Sequence, residues 1–252
     1  MLNRYFFKIS YLGSSYHGWQ RQNGQISVQQ CIEESLSKFI HQKEIKIVGC
    51  GRTDTGVHAK NFYFHIDTEQ KLPKQTLFKT NTLLPNDIAV HDILEVKKEH
   101  HARFDATERT YRYYLHPKKD VFINKTSLYY KNKIDFELMQ KAADLLIGKK
   151  DFTSFAKLHA DNKTDVCVVS NAKWVQSENQ FYFEITADRF LRNMVRAITG
   201  TLLDVGVGKT SLSDFEKIIA SKNRSNAGAS IDARGLFLWE IKYPFELNSA
   251  KL

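Results

Sequence analysis

The spacing of apolar residues along the chain predicts two successive groups of strands and helices with the same element order. In the first group, runs of aromatic and β-branched residues predict strands, and apolar residues three or four positions apart predict helices. The predicted strands are residues 5–11, 45–50, 61–67 and 88–94, and the predicted helices are residues 28–40 and 74–83. Ser27 is placed to cap the first helix and Pro85 to end the second. The resulting order is β-α-β-β-α-β.

The second group repeats this order. Its predicted strands are residues 109–116, 166–176, 180–187 and 236–243, and its predicted helices are residues 135–147 and 188–205. A further helix is expected to begin at a capping box formed by Ser213 and Glu216. The pattern therefore predicts an α+β fold of two ferredoxin-like halves, residues 1–104 and 105–252. The halves share negligible sequence similarity, so the repeat is one of topology alone.

Composition narrows the class of protein. The chain is 42% hydrophobic and 12% aromatic, which excludes wholesale disorder. It has no run of 18 apolar residues, so no transmembrane helix is predicted. Arg4 and Lys8 interrupt the N-terminal apolar residues, which is unlike a secretory signal. Three cysteines are too few and too scattered for a disulfide framework or a Cys-rich zinc site. These features favour a protein of the reducing cytoplasm.

Charge points to a polyanionic partner. The chain has 37 Lys and Arg against 28 Asp and Glu, a net charge of +9. Many soluble proteins are basic, so the distribution of charge decides. Residues 97–119 hold seven Lys or Arg, three His and three acids, with four aromatic residues among them: Phe104, Tyr111, Tyr113 and Tyr114. Cations beside aromatic rings suit phosphate contact and base stacking in nucleic acid. We therefore expect a basic cleft between the two halves.

The least ordinary segment is Gly49–His58, which places Arg52, Asp54 and His58 among glycines. Gly51 and Gly56 permit positive φ and close approach of a ligand to the backbone. Asp54 next to a cation should stay ionised, which suits a nucleophile or a base and not a general acid. The alternative is a structural Asx turn. An aspartic protease would need a second such carboxylate, and the chain has one copy of this Asp-Thr-Gly sequence.

Three arginines recur near the start of the predicted helix 188–205. Arg189, Arg192 and Arg196 have the spacing i, i+3 and i+7, which predicts that they share one helix face. Like charges at this spacing repel, so an anion should compensate them. The alternative is an arginine face paired with acids from elsewhere in the chain.

Six segments in the same order resemble the tRNA pseudouridine synthase A family. Gly51-Arg-Thr-Asp-Thr-Gly-Val-His58 resembles its active-site signature. The other similar segments are residues 11–22, 84–90, 102–113, 148–155 and 190–202. The chain departs from the family pattern at Thr55, at His100 and at Ile231-Asp232, and the last of these changes puts a local pocket wall in doubt.

The resemblance implies the pseudouridine synthase fold and the isomerisation of uridine to pseudouridine at tRNA positions 38–40. It implies no cofactor, no metal, and a homodimer whose clefts are completed by the partner. It assigns catalysis to Asp54, with Arg196 as the cation that keeps Asp54 ionised. Tyr111 matches the tyrosine that stacks on the flipped uracil and is also a candidate for proton transfer. Arg52, next to Asp54, either occupies the space left by the flipped base or holds a phosphate. Three roles stay open for Asp54: attack at C1′, attack at C6, and removal of the 2′ proton. Substrate contacts are expected from the remaining candidates: His58, Arg103, Arg189 and Arg192.

Two interpretations from other classes stay open. One is a non-catalytic RNA-binding protein with tandem ferredoxin-like modules, in which Asp54 would be dispensable. The other is a nuclease or phosphatase, which would need a second carboxylate or a His/metal cluster at the site. His58 and His65 are close in sequence, but no acidic residue stands at ligand spacing from them.

Overall fold

The computed structural model describes residues 2–42, 44–158, 163–177 and 179–250. Contacts within the chain divide it into two compact units. Unit 1 comprises Met1–Thr107 and Leu238–Leu252, and unit 2 comprises Glu108–Phe237. The sequence assigned residues 238–252 to the second half, whereas these contacts group them with unit 1.

Unit 1 has the predicted element order. Its strands and helices are β1 (Asn3–Tyr11), α1 (Val28–Ser37), β2 (Val48–Gly49), β3 (His58–Thr68), α2 (Thr76–Leu83) and β4 (Ile88–Val96). β1 pairs antiparallel with both β3 and β4, and β2 pairs antiparallel with β3. The order β4-β1-β3-β2 is that of a ferredoxin-like sheet. The prediction for this half is confirmed, although β2 is shorter than the predicted strand.

The helix boundaries of unit 1 follow from the expected local chemistry. The hydroxyl oxygen of Ser27 accepts a hydrogen bond from the Gln30 amide, so Ser27 caps α1 as predicted. α2 ends before Leu84, whose backbone is extended because Pro85 follows it. On β1, the consecutive residues Tyr5, Phe6 and Phe7 are all buried, which shows that both faces of this strand are covered.

Unit 2 contains the second predicted group with additions. Its elements are β5 (Glu108–His116), β6 (Leu128–Tyr129), α3 (Phe136–Asp144), β7 (Gly148–Asp151), β8 (Val166–Gln176), β9 (Phe181–Ala187), α4 (Met194–Gly206) and α5 (Leu212–Ser221). The strands β5, β9, β8 and β7 pair antiparallel in that order, and β6 pairs parallel with β5. The short strands β6 and β7 were not predicted. The last strand, β10 (Leu236–Lys242), crosses the unit boundary.

Two predicted helix starts in unit 2 are wrong. α4 begins at Met194 and not at Asp188, because Asn193 adopts a left-handed backbone conformation with φ 68°. α5 begins after Ser211, whose hydroxyl oxygen accepts from the Asp214 amide, so the predicted capping box at Ser213 lies two residues too far along the chain. Both units nevertheless combine helices and strands, as the predicted α+β class requires.

Candidate active site

The Asp54 loop, residues 50–57, connects β2 to β3 in unit 1. Asp54 is half-buried and Arg52 is exposed. The Asp54 carbonyl accepts a hydrogen bond from the Val57 amide at 3.1 Å, which closes a tight turn. Gly56 occupies this turn with φ 79°, a conformation that favours glycine. Gly51 does not have a positive φ, so only one of the two predicted glycine positions uses that freedom.

A second segment, residues 11–19, packs against the Asp54 loop and forms hydrogen bonds with it. Gly18 lies so close that a methyl group there would collide with the Thr53 carbonyl oxygen. The Trp19 amide donates to that same oxygen at 3.2 Å, and the Tyr11 and Thr53 hydroxyls are 2.9 Å apart. The residue before Asp54 is therefore fixed through its carbonyl and its side chain. We call residues 11–19 the cradle segment.

The far end of the loop is held in the same way. Gly13 of the cradle segment packs against the Val57 carbonyl with no room for a side chain. The Gly13 amide donates to Nδ1 of His58 at 2.9 Å, so this nitrogen is an acceptor and carries no proton. His58 is 0% exposed. The His58 side chain therefore positions the cradle segment against the loop, and its predicted contact with substrate stays a prediction.

The candidate aromatic residue lies in unit 2. Tyr111 is on β5 opposite Ile185 and is half-buried. Its ring contacts Phe190 edge to face, with centroids 5.1 Å apart. Tyr113, two residues along the same strand, is fully buried and donates to the Asp232 carbonyl at 2.7 Å. Burial strongly raises the pKa of Tyr113, so this phenol stays protonated.

The three arginines do not share a helix face. Arg189 and Arg192 precede α4, and Arg196 alone of the three lies within it. Arg196 is fixed by one residue: its Nε donates to the Ile231 carbonyl at 2.7 Å, and its own carbonyl accepts from the Ile231 amide at 3.2 Å. The common face predicted from spacing is therefore wrong, because the helix starts later than the spacing indicated.

The candidate residues divide between the two units. The structure places Arg52, Asp54, His58 and Arg103 in unit 1, and Tyr111, Arg189, Arg192 and Arg196 in unit 2. The predicted pairing of Arg196 with Asp54 stays a prediction. Sequence reasoning missed the roles of Gly13, Gly18 and Ile231. The signal was present in part, since the cradle segment lies in a region that carries the family resemblance, but residue types alone gave it no function.

Two absences within the described ranges bear on the class of site. Among these residues, no cluster of three or more His, Cys, Asp or Glu side chains could hold a metal ion. No helix within the same ranges is both long enough and apolar enough to cross a membrane.

The family model that matches this chain and three of its relatives all carry the name tRNA pseudouridine synthase. A family model described as tRNA pseudouridine synthase matches residues 8–105 and 142–244. The chain is 47% identical to tRNA pseudouridine synthase A of Bacteroides fragilis, over 98% of each chain. It is 47% identical to the protein of the same name from Porphyromonas gingivalis, over 97% of this chain and 98% of that protein. It is 38% identical to that of Colwellia psychrerythraea, over 99% of this chain and 98% of that protein.

Proposed function

The chain belongs to the tRNA pseudouridine synthase family, and from this premise we propose that it isomerises uridines 38–40 of the tRNA anticodon stem-loop, with Asp54 as the reacting carboxylate. A uridine stacked in the stem is out of reach, so the enzyme must first flip it out at a cost of a few kcal/mol. The C1′–N1 bond then breaks, the uracil turns, and C5 joins C1′. This rearrangement needs neither an oxidant nor a reductant, and we propose that it proceeds without a cofactor.

A carboxylate can act as a nucleophile or as a base, and these are the roles that we propose for Asp54. We propose that it attacks C1′ or C6, or removes the 2′ proton. Arg52, its exposed neighbour, either fills the space left by the flipped base or holds a phosphate. We assign to Arg196 the role of the cation that pairs with the Asp54 carboxylate. Tyr111 stacks on the uracil.

The observation that carries this proposal is how the Asp54 loop is held. The backbone on both sides of Asp54 is fixed by the cradle segment, at Thr53 and at Val57, while Asp54 itself is half-buried between them. A reacting group needs such a fixed position, because a misplacement of about 1 Å can cost 10²-fold in rate. A purely structural Asx turn would not need a second segment of glycines packed against it.

Release of tritium from uridine labelled at C5 in a tRNA transcript tests the function directly. Wild-type protein should release tritium, because C5 loses its hydrogen when it bonds to C1′. Asp54→Asn is nearly isosteric and should lower the rate by at least about 10²-fold. Its tRNA affinity should stay close to that of wild type, because phosphate contacts dominate affinity.

Thr55→Ala is the matched control in the same loop. Thr55 is exposed, and its side chain is one of the departures from the family pattern. This variant should keep wild-type activity. Tritium release by Asp54→Asn within tenfold of wild type would remove Asp54 from the reaction. Tight tRNA binding by wild type without any release would favour the non-catalytic RNA-binding protein instead.

We further propose that the enzyme works as a homodimer in the cytoplasm. The dimer is inferred from the family resemblance, and the cytoplasm from the three scattered cysteines, which suit a reducing compartment. Light scattering of the purified chain, alone and with tRNA, tests the dimer: a monomeric mass in both samples would contradict it.

A further inference from the structure

One aromatic side chain of unit 1, that of Phe104, is exposed on a turn closed by hydrogen bonds. Phe104 is 75% exposed, on the turn formed by residues 101–105. The His101 amide donates to the Asp105 carboxylate at 2.8 Å, and the Asp105 amide donates back to the His101 carbonyl at 3.1 Å. Nδ1 of His101 accepts from the amides of Arg103 and Phe104, at 3.1 and 3.2 Å. The turn is therefore closed by its own hydrogen bonds.

The base of this turn is anchored in the core of unit 1. The Ala102 amide donates to Nδ1 of buried His65 at 3.2 Å, and the Tyr243 hydroxyl donates to the Ala102 carbonyl at 2.7 Å. The His101 ring packs edge to face on His65, with centroids 4.8 Å apart. These contacts fix the turn from below, so that the direction of Phe104 is set by the fold.

Phe104 has one covered face and a cation at its side. Its ring stacks on His101 with centroids 4.2 Å apart and planes 29° apart. The Arg103 guanidinium carbon is 5.8 Å from the Phe104 ring centroid. Residues 97–105 carry three cations, Lys97, Lys98 and Arg103, against the two acids Glu99 and Asp105, a net charge of +1. A pre-ordered aromatic ring beside cations is the arrangement that binds an unpaired base and its phosphate.

Charge argues against a second copy of this chain on this surface. A second copy of the chain would bring a net charge of +9 towards exposed Arg103 and the two lysines. A phosphate backbone is attracted to the same groups. An exposed phenyl ring also gains more from a planar base, which covers its open face, than from remaining in water.

We propose that Phe104 and Arg103 form a stacking site for one unpaired nucleotide of the RNA substrate, other than the uridine that reacts. This inference rests on the proposed function, because it takes RNA as the substrate and assigns the reacting base to Tyr111. His101 supports the Phe104 ring from below and is a positioning residue. Stacking here is sequence-tolerant, because every base has an aromatic face. The site therefore contributes affinity and register without selecting a base.

The test measures tRNA affinity, salt dependence and turnover for matched variants of the full chain. Phe104→Leu should weaken tRNA binding by about tenfold or more, since removal of one base stack has an effect of this order. The salt dependence of binding should keep its slope, because every ionic interaction with phosphate remains. Arg103→Gln should lower that slope by about one. Phe78→Leu, at a phenylalanine of α2 that is 69% exposed, is the control and should bind as wild type does.

A second variant separates stacking from a structural effect. Phe104→Trp should restore wild-type affinity, and bound tRNA should protect the introduced indole from quenching by iodide. Affinity of Phe104→Leu within twofold of wild type would overturn the inference, and so would an equal loss in Phe78→Leu or an indole that stays open to iodide. Tritium release by wild type is measured beside these, so absence of catalysis would reject the proposed function while the binding data still decide the stacking site.

Discussion

The Asp54 loop of unit 1 and the Arg196 segment of unit 2 are both held by a second piece of backbone, but in different ways. In unit 1, Gly13 and Gly18 of the cradle segment pack against carbonyl groups of the loop. The buried side chain of His58 accepts a hydrogen bond from the Gly13 amide. In unit 2, the Arg196 backbone and guanidinium are both bound by the main chain of Ile231. Residue identity therefore matters strictly at Gly18 and little at position 231.

The largest expected effect is at Gly18. Gly18→Ala places a methyl group against the Thr53 carbonyl, next to Asp54, and also strains a backbone with φ 84°. The loop must shift, and we expect turnover to fall by about 10²-fold. Gly24→Ala is the matched control: Gly24 has φ 72° and open space around it. That variant bears the same strain without the collision. Equal tritium release by the two variants would contradict the cradle.

Arg196 tests the other side of the comparison. Arg196→Gln should lower turnover by at least about tenfold, because the variant removes the cation proposed to pair with Asp54. The affinity for tRNA should change little.

The double variant Arg189→Gln/Arg192→Gln should have the opposite effect on binding and turnover. It should weaken tRNA binding and lower the slope of its salt dependence by about one unit for each phosphate interaction removed. Turnover at saturating tRNA and a salt titration of affinity distinguish the double variant from Arg196→Gln. An unchanged salt slope in the double variant would reject phosphate binding by Arg189 and Arg192.

The two regions also differ in how far sequence could predict them. The Asp54 loop carries an unusual combination of charged residues and glycines, so its position and its central carboxylate could be predicted from residue types. The helix of Arg196 was predicted from apolar spacing, and this failed at its start. Leu191 is buried although it precedes α4, so the apolar pattern continues through backbone that is not helical. Apolar spacing indicates burial, and the turn at Asn193 leaves that spacing intact.

Contacts between distant segments could not be predicted in either region. The close packing of Gly18 on the Thr53 carbonyl and the two hydrogen bonds at Ile231 each join positions that are far apart in sequence, and both involve main-chain atoms. Main-chain atoms are the same in every residue, so the sequence contains no sign of such contacts. The strand order of unit 1 was accessible because it follows from element order and short connections.

A third prediction concerns the stability of unit 1 in mild acid. Burial, with Arg4 nearby, lowers the pKa of His65 from 6.5 to about 4, against the opposing effect of Asp67 and Asp105. The unfolded chain therefore binds a proton at a pH where folded His65 does not. The contribution of neutral His65 to the free energy of unfolding is complete above about pH 6.5. It is lost as the pH falls towards 4, and the total loss is about 3 kcal/mol.

His65→Asn should flatten that loss, because the Asn oxygen can still accept from the Ala102 amide but does not titrate in this range. Urea unfolding between pH 7.5 and pH 4.5 measures the effect. Loss of the ring will lower stability at pH 7.5, so the slope with pH is the relevant quantity. A slope equal to that of wild type would assign the acid sensitivity to other groups and not to this histidine.

The smallest effect is expected at Ile231, one of the departures from the family pattern. The two hydrogen bonds to Arg196 use the amide and carbonyl of Ile231 and not its side chain. Ile231→Ala keeps both groups, so turnover should stay within about twofold of wild type. Ile231→Pro removes the donor that binds the Arg196 carbonyl and should lower turnover further than Ile231→Ala. At Gly18 one added methyl group is expected to lower turnover by about 10²-fold, whereas at position 231 the removal of three carbons should change it by no more than about twofold. If Ile231→Ala lost as much activity as Ile231→Pro, the side chain and not the main chain would be holding Arg196, and the contrast between the two regions would fail.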